Sequence, residues 1–465
     1  MAVHVVQSEI GSVSNRKVGV FGLGKTGVQS VKTLLAKGFI VNAWDDSEGK
    51  VLEVKKIIKD NNVMFSNVLN EDEIADLEFV IVSPGIPFKY PAPHRIFTYC
   101  QKYNIPIKTD IELLFEASPN ANFIGVTGTN GKSTTVSLIN HVLEVSNRRS
   151  VLGGNIGTPA LSLPILQDPS ENYVLELSSY QLEILNNFQF NIAALLSITP
   201  DHLDRYESVD SYTEAKLRIF QNQMPDDFAI ISINTENGRN IHYKLNEVCA
   251  QKIIPISSEK ILDSGVSIIE DKLYDCYFEH ETLHIFLPQS LRGQHNAENI
   301  TVAYVAAKIL GITTQEIIQA LSTFVGLPHR MELVFQRGQM TFINDSKATN
   351  IASASKALDL YQDIYWIAGG IFKEKDVFSL GSHLRNVKRC YLVGMDAEIF
   401  IPLLAKHSVP YMRAGSIENA LLEIKKETPK GTVLLSPACA SFDQWKNFEE
   451  RGDVFRALVL KHFAS

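Results

Sequence analysis

Residues 125 to 134 read GVTGTNGKST, and this stretch constrains the fold more than any other. It follows an apolar run, ANFIGV, and leads into TTVSLINHVLEV, whose apolar residues recur at helical spacing. Strand, glycine-rich turn and helix form the arrangement in which backbone N–H groups and the helix dipole cradle phosphate, and it belongs to an α/β layer. The glycines fall at 125, 128 and 131, while Val126 stands where a phosphate loop has a glycine five residues before Gly131. The end of the loop is regular. Lys132 would lie along the β and γ phosphates of a nucleotide, and the Ser133 hydroxyl would reach a magnesium ion. A glycine-rich turn carrying a solvated lysine is the alternative.

A chain of 465 residues exceeds one ordinary core, which predicts two or three domains. Forty-four basic against 52 acidic residues give a net charge of −8 with no long basic run, so no nucleic-acid partner is expected. The stretch NNFQFNIAALLSITP is too short and polar to span a bilayer, and the N-terminus shows no charged-then-apolar signal pattern. Five scattered cysteines, at 100, 249, 276, 390 and 439, suggest neither a disulfide framework nor a zinc site. A cytoplasmic protein without membrane insertion is the expectation.

Three α/β blocks follow one another, with no internal repeat. The first opens with KVGVF, then Gly22, Gly24 and Gly27 before a helical pattern, and a second apolar run, FIVNAW, leads to Asp45 and Asp46. This matches a dinucleotide fingerprint, with an acid about 20 residues on for a ribose hydroxyl; a plain tight turn would use the same glycines. A third strand runs into Ser83, Pro84 and Gly85. The second block begins near Asp110. In it NYVLELSSYQL brings Glu176 to a strand end, TPDHLDRY carries Asp201, His202 and Asp204, and TEAKLRIF carries Lys216 and Arg218 on a helix. Each has a bland reading: a buried strand-end carboxylate, a capped loop, a solvated basic face. The third block, after GLPHRMELV, places Asp345, Lys347, Thr349, Lys373 and Ser441 just beyond strands, where an α/β domain exposes ligand sites.

Taken together, GVTGTNGKST, GGNIGTP, ELSSYQLE, DHLDRY, EAKLRIF, GQHNAEN, GLPHRME, NDSKATN and SPACASFDQWKNFEERG closely resemble, in this order, the Mur ligases of peptidoglycan synthesis, over nearly the whole chain. NDSKATN and the last motif are most similar to the branch that adds D-glutamate to UDP-N-acetylmuramoyl-L-alanine. The related folylpolyglutamate synthases typically have Gly-Lys-Gly-Ser in the loop and lack the first block. The resemblance implies three domains: residues 1–109, Rossmann-like, for the UDP-sugar; 110–326, a phosphate-loop ATPase-like domain with a parallel sheet; and 327–465, Rossmann-like, for the amino acid. It also implies the chemistry. A carboxylate is a poor electrophile at neutral pH, so ATP would convert the alanyl carboxylate to an acyl phosphate, which the amine of D-glutamate attacks to give amide, ADP and phosphate.

Carried over position by position, Gly128, Thr129, Asn130, Gly131, Lys132, Ser133 and Thr134 would hold the ATP phosphates. Asn296 and Asn299 would lie near adenine, and Arg330 and Asp345 at phosphates and ribose, with His329 in the same stretch. Ser133 and Glu176 would hold one magnesium; His202 and Lys216, the lysine carbamylated, would share a second. Lys132, Glu176, His202 and Lys216 would thus form the catalytic set. Lys25, Thr26, Asp45, Asp46, Ser83 and Gly85 would surround the uridine diphosphate, with Asn155 and His202 toward the sugar-peptide. Lys347, Thr349, Lys373, Ser441 and Phe448 would hold D-glutamate, whose two carboxylates suit two lysines and hydroxyl donors. Relatives often carry a polar or acidic residue where this chain has Ile371 and Phe372, which bears on the alignment of Lys373. A monomer is expected, with the C-terminal domain closing during the reaction. Competing readings are a dehydrogenase, which leaves the phosphate loop idle; a non-catalytic nucleotide-binding protein; and a Mur ligase for another amino acid.

Overall fold

The structure, a computed structural model, describes residues 16–202, 205–291, 293–374, 376–427 and 430–464. It contains three sheets, one for each block of the sequence. The first is wholly parallel, with strands in the spatial order Val63–Ser66, Ile40–Trp44, Lys17–Phe21, Val80–Val82, Ile107–Lys108. Its central strands read as apolar runs because both faces are covered: Val18, Val20, Val41 and Ala43 are fully buried.

The second sheet has nine strands. Seven are parallel, and the hairpin of Lys272–Asp275 with Glu281–His284 adds an antiparallel edge. At its centre Asn122–Thr127 lies between Asn172–Glu176 and Ile192–Leu195, with Val126 opposite Glu176 and Thr127 opposite Leu195. This register brings the carboxyl ends of three strands together at the edge where the phosphate loop begins. The central strand is backed by aromatic rings: Phe123 stacks on Tyr173 at 4.7 Å, and Phe188 packs on Phe190 at 4.3 Å.

The third sheet runs Glu332–Arg337, Met340–Asn344, Gly431–Leu435, Ile364–Ala368, Val387–Val393, Tyr411–Gly415, parallel except for the first pair. The fully buried Trp366 donates its ring N–H to the Ser436 carbonyl at 2.8 Å, which satisfies the one polar atom the ring brings into the core. The chain forms two compact units. One is the chain up to Phe286 together with Asn296–Ser322, and holds the first two sheets; the other is Leu287–His295 with the chain from Thr323, and holds the third. Among the described residues no helix is long and apolar enough to cross a membrane.

Candidate active site

In the first unit the loop leaves the strand Asn122–Thr127 and enters the helix Lys132–Val145 through Gly131, the N-cap. Its three glycines answer different constraints. A Cβ on Gly125 would lie 2.6 Å from the Phe190 ring, so that residue serves core packing. Gly128 at φ +153° and Gly131 at φ +84° take backbone conformations that side chains disfavour, and a Cβ on Gly131 would sit 2.3 Å from Asn299 Oδ1. The irregular spacing is thereby explained: two glycines shape the loop and the third makes room for a ring.

Lys132 folds back over this loop, donating to the carbonyls of Gly128 at 2.9 Å and Thr129 at 2.8 Å. Ser133 is buried in the first helical turn. The helix Gln294–Ile309 supplies Asn296 and Asn299: Asn299 accepts from Thr135 Oγ1 at 3.1 Å and donates to Asn296 Oδ1 at 3.1 Å. Asn299 thus braces the loop from behind.

Lys216 is only 1% exposed. Its Nζ donates to the Gly128 carbonyl at 2.9 Å, contacts Thr127 Oγ1 at 3.4 Å and stands 4.6 Å from the centre of the Tyr212 ring. Burial pushes its pKa well below the usual lysine range and the neighbouring Lys132 lowers it further, against the opposing pull of Asp201 and Glu176. Tyr212 and Thr127 were not singled out in the sequence. Tyr212 precedes Lys216 by four residues, one helical turn, and that spacing was the available signal.

Glu176 is buried at its strand end. Oε1 accepts from Asn155 Nδ2 at 2.8 Å, whereas Oε2 is buried with no hydrogen-bond partner. A buried carboxylate oxygen left without a partner is costly, and a cation beside it would remove that cost. His202, at φ +54°, is half-exposed; its Nδ1 lies 3.0 Å from Tyr180 Oη and its backbone N–H bonds Asp201 Oδ1 at 2.8 Å. Asp204 lies outside the described residues. Among the described residues no three His, Cys, Asp or Glu side chains gather as a metal site. Glu176 and His202 would each need further oxygens, such as phosphates, to complete the shell of a magnesium ion.

Elsewhere in the same unit, Gly22 is at φ +92° and its carbonyl accepts from Ser83 Oγ at 2.6 Å, while a Cβ on Gly27 would lie 1.8 Å from that carbonyl. Asp45 is buried and bonds the N–H groups of Leu23 at 2.7 Å and Ser47 at 2.9 Å, so it organises the turn; the more exposed Asp46 pairs with His94 at 3.2 Å. Lys25 Nζ reaches the Gly157 carbonyl at 2.6 Å, beside Thr26, and the Gly85 carbonyl accepts from Arg205 at 2.7 Å.

In the second unit, Asp345 is buried and accepts from Ser436 Oγ at 2.8 Å and from the Met331 N–H at 3.2 Å; burial raises its pKa to about 7. Arg330 belongs to the same unit, as does His329, which lies 3.0 Å from Asn344 Nδ2. Lys347 Nζ stands 5.0 Å from the centre of the Phe448 ring, and the Thr349 N–H bonds the Lys347 carbonyl at 2.8 Å. Lys373 Nζ is 5.1 Å from the Phe442 ring, and Ser441 is buried next to it in sequence. Arg451, also not singled out in the sequence, is buried and bonds Ser346 Oγ, the Ser346 carbonyl and the Cys439 carbonyl, which ties the loops bearing Lys347 and Ser441 together.

A family model described as the Mur ligase middle domain matches residues 126–307, and one described as the Mur ligase MurD-like N-terminal domain matches residues 16–98. The UDP-N-acetylmuramoylalanine–D-glutamate ligase of Rickettsia prowazekii is 38% identical over 453 residues, which cover 96% of this chain and 98% of that protein. The chain belongs to the Mur ligase family. The ligase of the same name from Rhodospirillum rubrum is 38% identical over 457 residues, covering 96% of this chain and 94% of its own. Among solved structures, the MurF ligase of Thermotoga maritima in complex with ADP matches with a TM-score of 0.60 over 97% of this Mur ligase and 96% of that chain, at 15% identity. The UDP-N-acetylmuramate-alanine ligase MurC of the same organism matches with a TM-score of 0.58 over 96% and 99%, at 16% identity. These two likenesses are of fold.

Proposed function

We propose that this chain is an ATP-dependent amide ligase that adds D-glutamate to UDP-N-acetylmuramoyl-L-alanine through an acyl phosphate, giving ADP and phosphate, in peptidoglycan precursor synthesis. The observation that carries the reading is near-full-length identity of 38% to ligases named for that reaction. Its supports at the site are a phosphate loop with two conformationally required glycines and, at the strand end beside it, a carboxylate oxygen lacking a partner.

In this reading Lys132 exchanges its loop carbonyls for the β and γ phosphates of ATP, and the loop from Gly128 to Thr134 lines the phosphates, with Asn296 and Asn299 toward adenine. Ser133 and Glu176 would hold one magnesium ion and His202 and Lys216 a second, and this positive charge would neutralise repulsion between the γ-phosphoryl group and the carboxylate it must approach. Lys216 serves as a carbamate. Its depressed pKa favours the neutral amine, whose lone pair forms the N–C bond to carbon dioxide as one proton leaves, so that a cation becomes an oxygen ligand. Asp46, Lys25, Thr26, Ser83 and Gly85 take the uridine diphosphate, with Asp45 shaping that turn and Asn155 toward the sugar-peptide. Lys347, Thr349, Lys373, Ser441 and Phe448 take D-glutamate, and Arg330 and Asp345 contact the nucleotide. The domains are 1–109, 110–326 and 327–465, and the enzyme is a cytoplasmic monomer.

An ADP-release assay over a panel of UDP-muramoyl substrates and amino acids tests the reading. Release should require UDP-N-acetylmuramoyl-L-alanine and D-glutamate together. Equal turnover with L-glutamate would defeat it, because inversion misplaces at least one of the amine and two carboxylates.

A further inference from the structure

We infer that Phe442 is a positioning residue for Lys373, its ring face holding the ammonium group where a carboxylate of D-glutamate arrives; this rests on the ligase reading above. The base of Lys373 is fixed first. Beyond the strand Ile364–Ala368, Ile371 exchanges two backbone hydrogen bonds with Ala440, at 2.9 and 2.8 Å, and the Phe372 N–H bonds Asp396 Oδ2 at 3.0 Å while its ring packs against Phe400. The two apolar residues preceding Lys373 thus anchor its loop to the residues around Ser441. From that base Lys373 Nζ reaches 5.1 Å from the centre of the Phe442 ring.

Phe442 is 62% exposed, so it contributes little to any core. What its face does is attract a cation, through the ring quadrupole. Four carboxylates share this group of loops, yet each is drawn to a backbone N–H: Glu374 to Ile351 at 2.6 Å, Asp376 to Phe378 at 2.8 Å, Asp396 to Phe372, and Asp443 to Met395 at 2.9 Å. Among the described residues none comes within 4.0 Å of Lys373 Nζ. The difference matters for an incoming dianion. A carboxylate partner would compete with the substrate, and its ion pair would have to be broken, whereas a neutral ring orients the ammonium and leaves its charge available. The same segment supplies the second ring, Phe448, over which Lys347 stands at 5.0 Å.

Steady-state kinetics of Phe442→Leu and Phe442→Trp test the assignment. Leucine keeps the apolar bulk and removes the quadrupole, and the exposed position leaves folding unaffected, which a thermal melt verifies. Phe442→Leu should raise KM for D-glutamate by about twofold to fivefold, with KM for ATP and for the UDP-substrate unchanged, and Phe442→Trp should stay near wild type. In a Lys373→Gln background the leucine change should add nothing. An unchanged KM for D-glutamate, an equal rise in all three KM values, a tryptophan variant as poor as leucine, or an undiminished effect without Lys373 would each overturn the assignment. A wild-type enzyme that releases no ADP in response to D-glutamate would overturn both this inference and the ligase reading, whereas the other outcomes strike the inference alone.

Discussion

At the phosphate loop, Lys132 and Lys216 are held by backbone carbonyls, and both reach the carbonyl of Gly128. On the strand-end loops of the second unit, Lys347 and Lys373 stand over the faces of Phe448 and Phe442. The two settings treat positive charge in opposite ways. Carbonyls in a buried pocket fix a lysine closely, and for Lys216 burial beside a second cation drives the group toward its neutral form. The exposed Lys373 is oriented more loosely, by an aromatic face rather than by carbonyls. Transfer of a phosphoryl group needs charge placed closely at atoms that are about to change, whereas capture and release of an amino acid needs charge that can be lent and taken back.

That contrast is open to attack. The largest effect is expected from Lys132→Ala, which should lower kcat by on the order of a hundred- to a thousandfold while the melting temperature stays near wild type; turnover close to wild type in the folded variant would remove the phosphate-loop role. Lys216→Ala should lose about a hundredfold, with formate or acetate restoring part of the rate in a magnesium-dependent manner. Restoration by a small amine would show that the residue acts as a cation and that the two regions treat positive charge alike. The smallest effect concerns stability. Burial raises the Asp345 pKa to about 7, so between the unfolded carboxyl pKa and that value the folded chain binds the extra proton. Its contribution is therefore complete below about pH 4 and is lost as pH rises through about 7. Relative to Asp345→Asn, the wild type should lose stability over that window in denaturant melts; parallel pH profiles would indicate that the carboxyl is ionised throughout.

The strand, loop and helix around Lys132 were legible because they are contiguous and their periodicities differ. The three parallel blocks were legible for the same reason. Lys216 was not: its sequence is that of an amphipathic helix with a basic face, and only burial against Thr127 and Tyr212 distinguishes it. The fingerprint reading of Asp45 and Asp46 could not separate the acid that bonds two backbone N–H groups from the one that faces outward, since both follow the same strand. Ile371 and Phe372 looked like a defect in a motif. Their bridge to Ala440 and packing against Phe400 are tertiary, so no local pattern announces them.

The asparagine bracing the phosphate loop has a consequence for how the chain is made. Asn299 accepts from Thr135 across 164 residues, and the helix that carries it returns to the first unit after the excursion Leu287–His295. A ribosome that has finished the three adjoining strands and the loop itself has still not supplied the residue that braces the loop through Thr135. The nascent chain therefore passes through a long interval in which the loop is complete in sequence but unbraced in space. Chains stalled before the helix Gln294–Ile309 emerges should carry a protease-sensitive loop that becomes resistant once that helix packs.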